Sequence, residues 1–324
     1  MSLRMRRGRS GCPTDRFDTR ARRGRGAILF PSLFVTLPLL SLLLLAGCTG
    51  SRCVRPTALG NLGGVINSAD DDYAPILRDT STLIFTSSRL NTRDAGLLER
   101  FGTRHLSHLF VSVRLTAEWD SVQPYEPAPG LGAAEAATLS MAVVPNRIGA
   151  LAYYASCERT DGAGGCDIVM VVEREGTPLT TPSDVNSAGW DGYPHATGDG
   201  RRLYFVSDRS GGYGGTDIWY VEQEASGLWG TPRNAGDAVN GAGDEHSPFL
   251  DVEKGDLYFA AEVDGTLDIH VLRAGGDRRE ALPAPFNSEG SELTPFIIGD
   301  VLYLASDRAG GCGGYDLYAF PIGR

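Results

Sequence analysis

Leu203-Tyr204-Phe205-Val206-Ser207-Asp208-Arg209-Ser210-Gly211-Gly212-Tyr213-Gly214-Gly215-Thr216-Asp217 reads as an apolar strand running into a glycine-rich hairpin. The chain repeats it as Leu302-Tyr303-Leu304-Ala305-Ser306-Asp307-Arg308-Ala309-Gly310-Gly311-Cys312-Gly313-Gly314-Tyr315-Asp316. Weaker copies lie in register, so the closing aspartates Asp167, Asp217, Asp268 and Asp316 are spaced by 50, 51 and 48 residues. A self-similar period of this length marks a repeat architecture.

Each unit reads as a small antiparallel sheet. An Asn-containing turn (Ile66-Asn67, Val185-Asn186, Val239-Asn240, Phe286-Asn287) precedes an acid and, three positions later, a proline: Asp72/Pro75, Asp191/Pro194, Glu245/Pro248 and Glu292/Pro295. A short inner strand is expected there. Next comes an apolar, aromatic strand at residues 83–85, 153–155, 203–206, 257–260 and 302–305, whose composition suits a strand buried on both faces. The glycines permit positive φ in the hairpin, and a third strand follows as Asp-Ile-Val, Asp-Ile-Trp, Asp-Ile-His or Asp-Leu-Tyr. A polar outer strand leads to the next turn.

Five such units predict an all-β, five-bladed β-propeller of four-stranded antiparallel blades. The first two are degenerate. Unit one carries an insertion over residues 90–107 in place of the Gly-Gly hairpin, and unit two lacks the acid and proline and holds a Pro/Gly/Ala-rich run at 124–137. The chain also starts out of phase, with an Asn turn, and ends on a third strand. Residues 56–65 are therefore expected to supply the missing outer strand and close the ring, which removes open sheet edges.

The Ser-Asp-Arg-x-Gly-Gly-x-Gly-Gly-x-Asp signature, with its upstream acid and proline, resembles the PD40 or WD40-like (TolB-like) β-propeller repeat of bacterial envelope proteins. The resemblance covers residues 62–320, strongly from 184 onward and poorly between 90 and 150. It implies a binding or scaffolding module, and a repeat motif by itself names no activity. Asp208, Arg209 and Asp217 in the hairpin either tie the turn together or bind a ligand; recurring turn residues favour the first.

Residues 1–26 hold nine arginines against Asp15 and Asp18, and residues 27–47 hold no charge. This is a basic segment followed by an apolar one, the pattern of an export signal. Leu45-Ala46-Gly47-Cys48 resembles the lipobox of bacterial lipoproteins, which implies acylation of Cys48 and removal of residues 1–47; Thr49 after it points, on the same resemblance, to the outer membrane. An uncleaved membrane helix is the alternative, against which Pro31 and Pro38 weigh. The expected organisation is a signal over 1–47, a lipid-anchored tether and start of the closing strand over 48–61, and the propeller over 62–324, with no hydrolase or peptidoglycan-binding domain after it.

Loss of the leader takes the net charge from −10 to −17. Nucleic acid is excluded as a partner on that balance, since phosphate binding needs a cationic surface. The expected partners are the membrane, through the lipid, and an envelope protein. With Cys48 acylated, four further cysteines remain in the mature chain, an even number consistent with an oxidising compartment. Cys157 and Cys166 flank the unit-two hairpin and are expected to pair across it; Cys53 is then left for Cys312, which would staple the closing strand to the last blade.

The acids before the prolines are the candidate site. If they converge at a channel mouth, Asp72, Asp191, Glu245 and Glu292 would hold Ca2+ or a basic group of a partner; otherwise each bonds amides of an adjacent blade, as repeat-packing residues do. No other cofactor is expected. The reading is a non-enzymatic envelope lipoprotein, with a propeller glycoside hydrolase using channel-facing carboxylates as the alternative. A serine peptidase is disfavoured by the lack of a Gly-x-Ser-x-Gly elbow.

Overall fold

The computed structural model describes residues 59–89, 107–126, 136–142, 150–157, 162–172, 178–179, 185–225 and 228–323. They form nineteen strands in five antiparallel sheets. Blade one contains β1 (Asp72–Asp79), β2 (Thr82–Ser87), β3 (His108–Val113) and β4 (Gln123–Pro124). Blade two contains β5 (Ala136–Ala142), β6 (Leu151–Cys157), β7 (Cys166–Val172) and β8 (Pro178–Leu179). Blade three is β9 (Asp191–Ala196), β10 (Arg202–Ser207), β11 (Asp217–Glu222) and β12 (Arg233–Asn234). Blade four is β13 (Glu245–Asp251), β14 (Asp256–Val263), β15 (Thr266–Leu272) and β16 (Glu280–Ala281). Blade five has β17 (Glu292–Ile298), β18 (Val301–Ser306) and β19 (Asp316–Pro321).

The inner strands β1, β5, β9, β13 and β17 touch in sequence, and β1 meets β17, so the sheets close into a ring. The core lies between sheets rather than within one layer. Tyr153, Ile168 and Met170 of blade two pack on Leu203, Phe205 and Trp219 of blade three. Tyr204, Val206 and Ile218 of blade three pack on Leu257 and Phe259 of blade four. A middle strand therefore buries both faces, which is why it reads as a continuous apolar run.

Blade five has three strands, and residues 60–62 lie along the outer edge of β19 where a fourth would be. Asn61 bridges Tyr318, the Leu62 amide donates to Leu317 O at 3.0 Å, and the Ala319 amide donates to Gly60 O at 2.7 Å. Gly60 sits at φ +92°, and a Cβ there would lie 2.6 Å from the Phe320 ring, so this approach requires glycine. The expected closure of the ring holds.

The Asn turns work by imitating a strand. The side-chain amides of Asn67, Asn186, Asn240 and Asn287 each accept from and donate to one residue of the preceding blade's third strand: Leu317, Ile168, Ile218 and Ile269, at 2.8–3.1 Å. One carboxamide thus serves both backbone groups of that residue, and in three blades it shares the carbonyl with an outer-segment amide, from Leu62, Ala235 or Leu282.

The glycine hairpins are seams. A Cβ on Gly164, Gly214 or Gly313 would fall 2.0–2.2 Å from the carbonyl oxygen of Gly189, Gly243 or Asp70, all in the next blade's turn. Across the same seams the amides of Thr216 and Tyr315 donate to Asp244 and Asp71 at 2.8 and 3.0 Å. The glycines allow backbone to lie directly against backbone.

Candidate functional site: the central channel

Every inner strand carries a bulge at the same place. The register against the second strand shifts between Tyr73 and Ile76, Ala137 and Ser140, His246 and Phe249, and Leu293 and Phe296, with a matching shift opposite Tyr204/Val206 in blade three. At the bulge a non-glycine residue adopts positive φ: Ala74 at 51°, Thr138 at 53°, Tyr193 at 46°, Ser247 at 56° and Thr294 at 53°. Such residues are uncommon singly. Here they form a ring of five around the channel.

The inner strands enclose a cavity of about 390 Å3. Its wall is layered. The positive-φ residues form one end, followed by Pro75, Leu139, Pro194, Pro248 and Pro295, then by Ile76, Ser140, His195, Phe249 and Phe296. Arg78 stands at the other end, exposed, its guanidinium 3.1 Å from the Tyr125 hydroxyl. Among the described residues the wall holds no aspartate or glutamate.

Hydrogen bonds stitch neighbouring inner strands across the channel wall. The Ala74 amide donates to Thr294 Oγ1 at 3.1 Å, the Ala196 amide to Ser140 Oγ at 2.9 Å, and the Leu250 amide to His195 Nε2 at 3.0 Å. Because Nε2 accepts, His195 is neutral with its proton on Nδ1. Its ring lies 5.0 Å from Phe249, and burial pushes its pKa down to about 4. Burial likewise pushes the Tyr193 hydroxyl up, so it too stays uncharged.

The four acids do not meet at a channel mouth. Their side chains are fully buried in the seams, and each faces an arginine: Asp72–Arg89 at 2.5 Å, Asp191–Arg209 at 2.8 Å, Glu245–Arg279 at 2.7 Å and Glu292–Arg308 at 3.1 Å. Each also accepts from the turn upstream, through Ser68, Ser187, Gly241 or Ser288. The arginines in turn donate to carbonyls of the Asn turn at Ile66, Val185, Val239 and Phe286. Three of them lie over aromatic rings: Arg89 over Phe85, Arg209 over Phe205 and Trp219, and Arg308 over Tyr318. Carboxylates so engaged have no oxygen turned to a channel cation. No cluster of three metal-ligating side chains occurs among the described residues.

Asp217 accepts from the Tyr213 amide at 2.6 Å and the Gly214 amide at 3.2 Å, and Asp208 from the Trp190 amide at 2.7 Å. These residues hold turns. Cys157 and Cys166 form the cross-hairpin disulfide, with Cα atoms 4.0 Å apart. Cys48 and Cys53 lie outside the described residues, as does the stretch 1–58 as a whole, and Cys53–Cys312 and the lipid site remain expectations. The proline positions pointed to the channel; the polar groups beside them carried no sequence signal, because the repeat keeps backbone shape there rather than side-chain type.

No family model matches the chain, and no curated protein matches it. Solved structures are similar in fold. TolB from Acinetobacter baumannii is 12% identical with a TM-score of 0.41, over 79% of this chain and 55% of that one. A glycoside hydrolase family 43 arabinoxylan arabinofuranohydrolase from Bacillus subtilis is 14% identical with a TM-score of 0.44, over 80% of this chain and 64% of that one. A further structure described as a glycoside hydrolase is 8% identical with a TM-score of 0.50, over 83% and 93%. This chain thus spans less than two thirds of the first two. The expectation of a protein without enzymatic activity does not stand, because a structure of similar fold is described as a glycoside hydrolase and the fold by itself leaves an enzyme role open. At 8–14% identity these likenesses establish neither TolB's function nor a hydrolase's; what the structure shows is the fold, a five-bladed β-propeller.

Proposed function

We propose that the protein is a lipoprotein of the bacterial envelope whose propeller binds a partner protein or ligand. The single observation that carries the binding reading is the closed ring with an open, layered channel, to which all five blades contribute one strand. The arginine-rich leader and Leu45-Ala46-Gly47-Cys48 support export, cleavage and acylation at Cys48, with residues 48–61 as tether and the propeller from 62 onward. Thr49 supports the outer membrane. The acidic mature chain favours an envelope protein over nucleic acid.

Fractionation and co-purification of the full chain test this together. The wild type is expected in the outer-membrane fraction with a specific envelope protein or ligand retained, and Cys48→Ser is expected to leave that fraction or to stay uncleaved at the inner membrane. Unchanged fractionation and unchanged lipid labelling of Cys48→Ser would overturn the anchor, and a propeller that retains nothing above background would overturn the binding role.

A further inference from the structure

The rim of the ring is uneven in charge. Of all residues in the chain 22% are charged, yet residues 59–67, 281–287 and 317–323 contain no Asp, Glu, Lys or Arg. The fold brings these three runs together on the outer edge of blade five. Residues 60–62 lie along β19, and Phe286 meets Phe320 edge to face with ring centroids 6.0 Å apart. Leu62, Phe286, Ala319 and Ile322 all pack on the core cluster that holds Phe320. What the three runs leave outside is apolar: Leu59 is 74% and Val65 52% exposed, and Pro283, Ala284, Pro285 and Pro321 are exposed too. The Asn turns show the same asymmetry. Gly64-Val65 and Ala284-Pro285, before and after which blade five lies, are matched around blade three by Ser183-Asp184 and Asp237-Ala238, each pair with one acid. Exposed apolar side chains scattered singly need no explanation, whereas a contiguous uncharged sector on an acidic protein marks a contact surface.

We propose that the outer edge of blade five is the membrane-facing surface of the protein and rests on the lipid bilayer. The inference rests on the anchor at Cys48 proposed above. Residues 49–58 link that cysteine to Leu59, in the uncharged sector itself, and reach at most about 36 Å when fully extended. The expected Cys53–Cys312 bridge would leave only residues 49–52 free, because Cys312 stands between β18 and β19 of the same blade. Charge selects the same side. The mature chain carries −17, and an anionic bilayer surface repels an acidic rim but not an uncharged one. Apolar side chains at the interface then add a second attachment to the acyl chains. The outer edges form the rim of the ring, so seating one of them on the membrane lays the channel axis along the bilayer. Both channel mouths stay open to soluble partners.

Fluorescence of the full acylated chain in vesicles of phosphatidylethanolamine and phosphatidylglycerol, with and without a phosphatidylcholine brominated on its acyl chains, tests the proposal. Single tryptophans are introduced as Val65→Trp or Leu59→Trp in the uncharged sector, and as Leu228→Trp, 69% exposed, between β11 and β12 of blade three. Bromine quenches indole only at close range. The emission added by Val65→Trp or Leu59→Trp is expected to fall about twofold in brominated vesicles, and that added by Leu228→Trp to stay unchanged. Flotation of the vesicles is measured on every sample. Protein that floats while neither sector variant is quenched, or while Leu228→Trp is quenched equally, overturns this inference alone. Protein that does not float overturns the anchor and this inference with it. A dimer in detergent that Leu59→Asp with Val65→Asp converts to a monomer would place a second copy on this surface and overturn the lipid assignment.

Discussion

Arg279 donates to Glu245 at 2.7 Å and to the Val239 carbonyl, and so restores in blade four an ion pair whose usual donor the sequence lacks. In blades one, three and five the arginine follows the second strand, as Arg89, Arg209 and Arg308. In blade four that position is occupied by Val263, and the guanidinium arrives instead from just before β16. The same contact made from two places in the chain shows that it is the buried carboxylate which demands a cation.

Arg279→Met is therefore expected to destabilise the protein by about 3–5 kcal/mol, because it leaves Glu245 buried and unpaired. Adding Glu245→Gln should recover part of the loss. Urea unfolding of both variants measures this, and an Arg279→Met midpoint equal to wild type would contradict it.

The seams make a second prediction. A Cβ on Gly214 would lie 2.2 Å from Gly243 O, whereas one on Gly198 meets nothing within 4 Å. Gly214→Ala should cost about 1–3 kcal/mol through a forced shift of two blades. Gly198→Ala should change stability by less than about 0.5 kcal/mol. Equal melting temperatures for the two variants would remove the seam argument.

Asn240 shows why the Asn turns recur. Asn240→Leu keeps the size but strips the pairing from the Ile218 amide, at a cost of about 1–3 kcal/mol for that group left buried and unsatisfied, while the Ile218 carbonyl keeps the Ala235 amide. Thermal unfolding should register the loss. Asn240→Asp should also destabilise, because a carboxylate cannot donate to the Ile218 carbonyl.

Stability should fall on mild acidification. His195, His246 and His270 are each pushed down to about 4 by burial, against 6.5 in an open chain. Between those values the unfolded chain binds protons that the folded one refuses, so stability is full above about pH 6.5 and declines toward pH 4. Each fully buried site loses about 1.4 kcal/mol per pH unit across that window. Glu245, pushed up from 4.5 by burial, acts in the opposite sense from about pH 4.5 upward and so offsets part of the drop. The urea midpoint should drop between pH 7 and pH 5, and His270→Gln should flatten the drop; a midpoint constant over that range would contradict the assignment.

Much of this was legible because the repeat is built from backbone demands. The Asn, acid, arginine and glycine positions recur since a turn, a buried counter-charge or a close approach recurs, and the prolines mark the bulge on four inner strands. Blade two was harder. There Ala136 stands at the acid position and Leu139 at the proline position, so β5 carries no local mark, although Thr138 keeps the same positive φ. The acids looked like a site because sequence shows that four carboxylates recur at one place in the repeat, not which way they turn. Their arginines are 16–18 residues downstream in three blades and 34 in the fourth, and only the fold joins them. The positive-φ ring left no side-chain pattern, its residues being Ala, Thr, Tyr, Ser and Thr.

Closure of the ring is the claim on which the rest depends, and amide hydrogen exchange at Leu62 and Ala319 tests it most directly. Both amides donate across the join between the first described residues and the last strand. Closure predicts protection close to that of amides in the middle of β18, since the join opens only when the propeller does. Exchange at the rate of an unstructured peptide at both positions would mean that the last blade has an open edge and that the ring is not closed in solution.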